Sequence, residues 1–307
     1  MTAARLAAVV LAPLCASLLV ACGAKPAPAA PTASADVEPD VATRQAREVV
    51  EEIYRSLRRG NPDGIQPLLS AELFVAGPGA GDVFVGRADA VLALSKALDV
   101  GRKHRLTSRG LRVVAAPGGR SAWASDQIDV DGRAYTVTVV LASVDDLWIA
   151  TALQIARPVA ERTVRTLAES GQLARPAPVP GGVAEQARPV VQLFQDGTAG
   201  RARFLDQLAD RGDAVVVGSG PREVTTGAKA IRKRWKRALA ARPTMQVQGD
   251  VRAEVTPDGA LGWVCANVDL GGDGAAAVPH RSFYVYERDG AAWRLIAVHE
   301  AVPTGDR

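Results

Sequence analysis

The sequence predicts an α+β protein of two tandem units, each with helices at its N-terminal end followed by a long antiparallel meander. Three observations carry this. The chain has 307 residues, and at roughly 150 residues per domain that length suggests two domains. The same order of segments occurs twice. Leu73 to Leu98 lies over Ala214 to Leu239 without a gap at an offset of 141, Trp123 and Asp129 match Trp263 and Asp269 at 140, and WIATALQIARP from Trp148 lies over WRLIAVHEAVP from Trp293 at 145. Within each copy, apolar spacing of three and four gives way to alternation with period two, the change expected where helices give way to strands.

In the first copy, residues 43–158, Thr43 reads as a helix cap, and Val49, Val50, Ile53, Tyr54 and Leu57 form an apolar stripe that stops at Gly60. Asn61-Pro62-Asp63 restarts a short helix with Ile65, Leu68 and Leu69 inward. Strand-like pieces around Leu73 to Ala76 and Asp82 to Val85 are joined by a Gly-rich turn, and a helix runs from about Ala88 to Val100. Leu106 to Ala115, Ser121 to Val130, Arg133 to Ala142 and Leu147 to Ala156 then read as a meander, with turns at Pro117-Gly118-Gly119 and Asp131-Gly132. Residues 159–187 read as a linker with a short helix from Pro158 to Leu173 and a Pro/Gly stretch after it. The second copy, residues 188–303, repeats the pattern with a helix from Ala228 to Ala241 and strands near Met245 to Val255, Leu261 to Leu270, His280 to Arg288 and Ala292 to Ala301.

Composition excludes some classes. Apolar residues make up 48% and charged residues 23%, as in an ordinary globular chain. A net charge of +4 leaves neither copy basic enough to point to nucleic acid.

The N-terminus reads as an export signal over residues 1–21. Arg5 is followed by an uncharged apolar run from Leu6 to Ala21 that contains Pro13 and is too short for a spanning helix. The run ends in Leu19-Val20-Ala21-Cys22-Gly23, which resembles the lipobox of bacterial lipoproteins. That resemblance implies cleavage before Cys22, acylation of its thiol, and a chain anchored by lipid to a bacterial membrane, facing the periplasm or exterior. Residues 22–42, rich in Ala and Pro, read as a disordered tether. With Cys15 lost and Cys22 acylated, Cys265 is left without a disulfide partner and reads as a small core residue.

The opening IYRSLRRGNPDGIQPLLSAELFV from Ile53 and the closing WRLIAVHEAVP, with Trp293 and His299, carry a further resemblance. The order of elements resembles the nuclear transport factor 2-like superfamily, particularly its SnoaL-like branch, over residues 43–158 and 188–303. The resemblance implies, for each copy, a cone of helices wrapped by a curved antiparallel sheet, with a pocket at the open end. It implies no single activity, because the superfamily includes isomerases, cyclases, dehydratases and binding proteins. Members commonly dimerise through the outer face of the sheet. The resemblance therefore also implies that the two copies pair within one chain as an intramolecular pseudo-dimer.

His299 matches the closing His of the family pattern, but the first copy has Gln154 there, and Ala301 replaces the hydroxyl residue often found two positions later. A general base at His299 would need an orienting carboxylate, for which Asp269 is the candidate, with Tyr284 as a phenol donor. The competing reading is a hydrogen-bonded histidine on the sheet. Alternation puts Trp263, Cys265, Asn267 and Asp269 on one strand face, matched by Trp123, Ser125, Gln127 and Asp129. That mixed row, with Tyr286, Tyr135 and Gln154, either lines a pocket or forms a solvated or partner-facing surface. Ile231 to Leu239 carries five positive charges on a helix whose apolar face holds Ile231, Trp235 and Leu239, which reads as a solvated basic face or one facing anionic lipid. The glycine loops lack phosphate-loop spacing, and no metal or other cofactor is called for. The leading reading is a membrane-anchored binding protein for a small apolar ligand or a protein partner, without catalysis. The alternative is a cyclase- or isomerase-type enzyme in the second copy.

Overall fold

The computed structural model describes residues 38–97, 101–200, 202–240, 244–272 and 275–305. The export signal, Cys22 and the tether up to residue 37 lie outside the described residues.

Helix α1 spans Pro39–Arg58 and so begins before Thr43, inside the stretch read as tether. Proline in the first turn has its φ pre-set and no N–H to satisfy, and Asp40 beside it complements the helix dipole. Thr43 is not a cap; its Oγ1 accepts the Ala115 amide at 3.2 Å and ties the helix to the sheet. Ala42, Ala46, Val50 and Tyr54, spaced by four, are its buried edge. A 3-10 turn over Pro62–Leu68, capped by Asn61, buries Ile65.

The first sheet contains β1 (Leu69–Ala76), β2 (Val83–Val85), β3 (Leu106–Ser108), β4 (Arg112–Ala115), β5 (Ser121–Val130), β6 (Arg133–Val144) and β7 (Leu147–Ala156), with α2 (Arg87–Ala97) between β2 and β3. Its order is β2-β1-β7-β6-β5-β3, with β4 also on β5; β1 and β7 are parallel. The β5–β6 hairpin closes on Asp131 and Gly132, both at positive φ, the two-residue turn that matches strand twist. The single strand expected over Leu106 to Ala115 is broken. Arg109 still bonds Gln127, but the Gly110 amide turns to the Asp126 carboxylate at 3.1 Å.

The chain continues through α3 (Glu161–Glu169), β8 (Gly182–Val183), α4 (Arg188–Ala199), α5 (Ala202–Gln207), β9 (Val215–Val217), β10 (Val224–Thr226), α6 (Ala228–Ala240), β11 (Thr244–Val255), β12 (Leu261–Gly272), β13 (Ala275–Asp289) and β14 (Ala292–Ala301). The second sheet runs β10-β9-β14-β13-β12-β11-β8, with β9 parallel to β14 as β1 is to β7. The stretch read as a linker is partly built into the structure: β8 extends the sheet beside β11, Val179 is buried, and the Ala177 amide bonds Ala80 O at 2.7 Å.

Three apolar cores follow from the alternation of the strands. One lies between α1, α2 and the first sheet, and one between α4, α5, α6 and the second. The third lies between the two sheets. On β12, Trp263 and Cys265 face this third core while Val264, Ala266 and Val268 face the second. Phe74 of β1 stacks on Trp263 at 5.1 Å, and Trp263 on Phe283 at 5.5 Å.

Contacts across the third core come in pairs related by the sequence repeat. The Thr304 amide bonds Pro78 O at 3.0 Å, and the matching Val159 amide bonds Ser219 O at 2.8 Å. His299 sits between the hydroxyls of Thr136 (2.9 Å) and Thr138 (3.0 Å). Its counterpart Gln154 donates Nε2 to the carbonyls of Arg281 (3.2 Å) and His299 (3.0 Å). Residue i meeting j while the counterpart of j meets the counterpart of i is the pattern of an isologous interface.

Candidate functional site

An apolar cavity of about 150 Å³ opens between the helices and the sheet of the first half. Val50, Ile53 and Leu57 of α1 form one wall, and Leu73, Val137 and Val139 of the sheet form another. Tyr54 also lines it, one turn along the buried edge of α1. Asp126 faces the same core from β5, between the inward Ala124 and Ile128.

Tyr54 and Asp126 are 4% and 3% exposed, and Tyr54 Oη and Asp126 Oδ2 have no hydrogen-bond partner of ordinary geometry. They nevertheless face one another: burial first, and then the Asp126 carboxylate, push the Tyr54 phenol above its ordinary range. Burial also pushes the Asp126 carboxyl up, against the pull of Ser108, the Gly110 and Gln127 amides and Tyr54. The Gln127 amide meets Asp126 Oδ1 at 2.7 Å. The result is an apolar cavity with the Tyr54 phenol in its lining and the Asp126 carboxyl facing that phenol.

Among the described residues, aromatic rings occupy the corresponding positions of the second half. Phe194 replaces Tyr54 and Ala266 replaces Asp126 at the 140 offset, while Tyr284 and Tyr286 replace Val139 and Leu141 at 145. Tyr284 packs against Phe194 at 5.2 Å and Phe204 at 5.0 Å.

The candidate catalytic set of the second half does not converge. Asp269 is not on a neighbour of the His299 strand: it lies on β12, paired with Pro279, whereas His299 on β14 pairs with Phe283. Two strand spacings and four residues of register separate them, roughly 10 Å across and 13 Å along the sheet. Tyr284 points to the opposite face, into the second core, where its hydroxyl donates to Glu300 Oε1 at 3.3 Å. His299 is fully buried, and burial pulls its pKa down to about 3, so it stays neutral at ordinary pH. The hydrogen-bonded structural histidine is the reading its surroundings fit.

The pocket candidates are dispersed. Trp123 and Trp263 belong to the core between the sheets, and Gln154 bonds across it. Asn267 donates to Ala177 O at 2.8 Å and, with Asp269, borders a separate cleft against Arg175 and Pro279. Tyr286 is enclosed in the second core, which pushes its phenol up. Asp129 accepts Arg109 at 3.3 Å and the Gly132 amide at 2.8 Å. Tyr135 packs half-buried on the first core. Cys265, whose burial raises its pKa to about 12, is an inert core thiol. On α6, Ile231 is buried, Trp235 half-buried near Phe204, and Lys229, Lys233 and Lys236 exposed.

Reading the sequence for a mixed strand face passed over Tyr54 and Asp126. The signal was a single carboxylate in the otherwise apolar row Ala122, Ala124, Asp126, Ile128, at a position where the second copy has alanine. Among the described residues, no group of three or more His, Cys, Asp or Glu is placed to hold a metal ion. Among them, too, no helix is long and apolar enough to cross a membrane.

Comparison with known proteins bears on the second half first. Residues 191–305 match the family model of the SnoaL-like domain. Among solved structures, an NTF2-like family protein from Streptomyces avermitilis, described as a candidate dehydratase, is similar at 15% identity and a TM-score of 0.35, over 40% of this chain and 100% of its own. An NTF2-like protein of unknown function from Pseudomonas putida KT2440 is similar at 15% identity and a TM-score of 0.36, over 40% of this chain and 92% of its own. Another from Silicibacter pomeroyi DSS-3 is similar at 13% identity and a TM-score of 0.32, over 38% and 97%. No curated protein matches the chain. The matched region thus coincides with the half whose core holds Phe194, Phe204, Tyr284 and Tyr286.

Proposed function

We propose that this is a lipid-anchored extracytoplasmic binding protein whose first half holds a small, mainly apolar ligand bearing one hydroxyl or carbonyl group. The second half is its packed support. The observation behind this reading is the apolar cavity lined by Tyr54, whose buried phenol faces the Asp126 carboxyl. Dry apolar cavities of this size accept molecules such as benzene, and the Tyr54 phenol in the lining favours a ligand that carries one hydrogen-bonding group.

Calorimetric titration with indole tests the reading. Indole should bind the mature chain with one site and should not bind Val139→Phe, which fills the cavity wall. No binding at millimolar indole, or equal binding by the variant, would overturn it.

Anchoring is the second part of the reading and rests on the Leu19-Val20-Ala21-Cys22 sequence. Cys22→Ala should release the protein from membranes or leave the precursor uncleaved, and a processed variant still retained on membranes would contradict it. The third part is pairing of the halves as an intramolecular pseudo-dimer, supported by the paired contacts of Thr304 with Pro78 and Val159 with Ser219. Light scattering of the lipid-free mature chain should give a monomer mass; a stable dimer would argue against it.

A further inference from the structure

We infer that Arg281, a residue of the second half, is a positioning residue for ligand binding in the first half, because it holds the loop that forms one wall of the cavity. This rests on the cavity being a ligand site. The loop is residues 77–82, and Gly77, Pro78 and Asp82 all line the cavity.

Arg281 projects from β13 into this loop and is 1% exposed. Its Nη1 donates to the carbonyls of Gly77 (3.0 Å), Gly79 (3.2 Å) and Asp82 (3.2 Å), and its Nη2 to that of Ala80 (2.9 Å). One planar guanidinium therefore gathers four carbonyls that point the same way, a task an ammonium is poorly shaped for. Within the loop, Asp82 Oδ2 accepts the Gly79 amide at 2.7 Å, and the Gly77 amide bonds Asp82 O at 2.7 Å. A Cβ at Gly77 would lie 2.6 Å from that of Asp82, so the tight closure depends on glycine there. Two more segments from outside the first half complete the hold: Thr304 exchanges backbone bonds with Pro78 and Ala80, and Ala177 bonds Ala80 O.

The matching loop of the second half, residues 218–223, is held differently. Its Glu223 accepts the Gly220 amide and pairs with Arg234 of the same half. Thr136 stands where Arg281 would be expected by the 145 offset, and it bonds His299 instead. The buried guanidinium thus serves the loop beside the cavity, while the loop of the second half has Arg234 of its own half and one backbone bond from Val159. A buried, carbonyl-bound arginine is costly to desolvate, and here it adds a hold from the second half to the loop's own internal bonds.

The test combines indole calorimetry with amide hydrogen exchange on the mature chain. Arg281→Lys and Arg281→Met should speed exchange at residues 77–82 and weaken indole binding about tenfold, roughly 1.4 kcal/mol. Protection in β5 and β6 should be retained. Arg234→Met, which loosens the other loop, should leave indole affinity unchanged. A chain ending at Pro303, lacking the Thr304 strap, should show the same direction as the arginine variants and serves if those do not fold. Wild-type affinity in Arg281→Lys, or unchanged exchange in the loop, would overturn the inference. If the wild-type chain binds no indole, the ligand reading fails, and loop exchange alone then decides whether Arg281 holds the wall.

Discussion

The two halves share strand order, the parallel closing pair and the place of each helix on the sheet, yet their cores do opposite things. At matching positions the first half has Val139, Leu141 and Tyr54, where the second has Tyr284, Tyr286 and Phe194. The first set borders a cavity, and in the second set Tyr284 packs edge-on against Phe194 and stacks on Phe204. A tightly packed core contributes stability, whereas a cavity forgoes contacts that its lining atoms would otherwise make. In the proposed reading, one half keeps a site while the other steadies it through the core between the sheets.

The strongest way to break this comparison is to empty the filled core. Tyr284→Ala should cost the second half about 3 to 5 kcal/mol, read from urea unfolding, whereas Val139→Ala at the matching position should cost only about 1 to 2 kcal/mol because its side chain already borders space. Equal losses would show that the two cores are packed alike.

Acid sensitivity comes next and should be a property of the second half's His299. Burial lowers its folded pKa to about 3, below the unfolded value near 6.5. The stability it contributes is therefore complete above pH 6.5 and lost as pH falls toward 3, at roughly 1.4 kcal/mol per pH unit. Asp126 works the other way, because its raised pKa favours the folded state as it becomes protonated. His299→Gln, the residue of the first half, should flatten the decline between pH 6.5 and 5. A parallel decline in variant and wild type would assign acid sensitivity elsewhere.

Smaller effects sharpen the picture. Trp235→Ala should cost about 2 kcal/mol, because its ring packs near Phe204, whereas exposed Lys236→Ala should matter by less than about 0.5 kcal/mol. Val139→Phe should cost under about 1 kcal/mol, less than the 1 to 3 kcal/mol usual for overpacking, because the added ring enters existing space. A larger loss in thermal melting would mean the cavity wall is already full.

Element order was legible in the sequence because the repeat doubles every signal. A helix or strand inferred in one copy is checked by the other, as with Leu73 to Leu98 over Ala214 to Leu239. Boundaries were less so: Pro39 starts α1 ahead of Thr43, and the Gly110 turn toward Asp126 splits one expected strand. The site was hidden for a physical reason. Polar residues on alternating faces draw attention to the mixed row, and here that row faces the other sheet, where Trp123, Trp263 and His299 meet partners far away in the chain. The cavity depends on what Val139 and Ala150 do not fill, and small apolar side chains carry no pattern that distinguishes a lined space from a packed one.

Crystals of the protein pressurised with xenon would test the central claim most directly, since xenon enters dry apolar cavities of this size. The account predicts a xenon site between Val50, Leu73 and Val139 of the first half and none among Phe194, Phe204, Tyr284 and Tyr286 of the second. Xenon bound in the second core, with the first left empty, would contradict it.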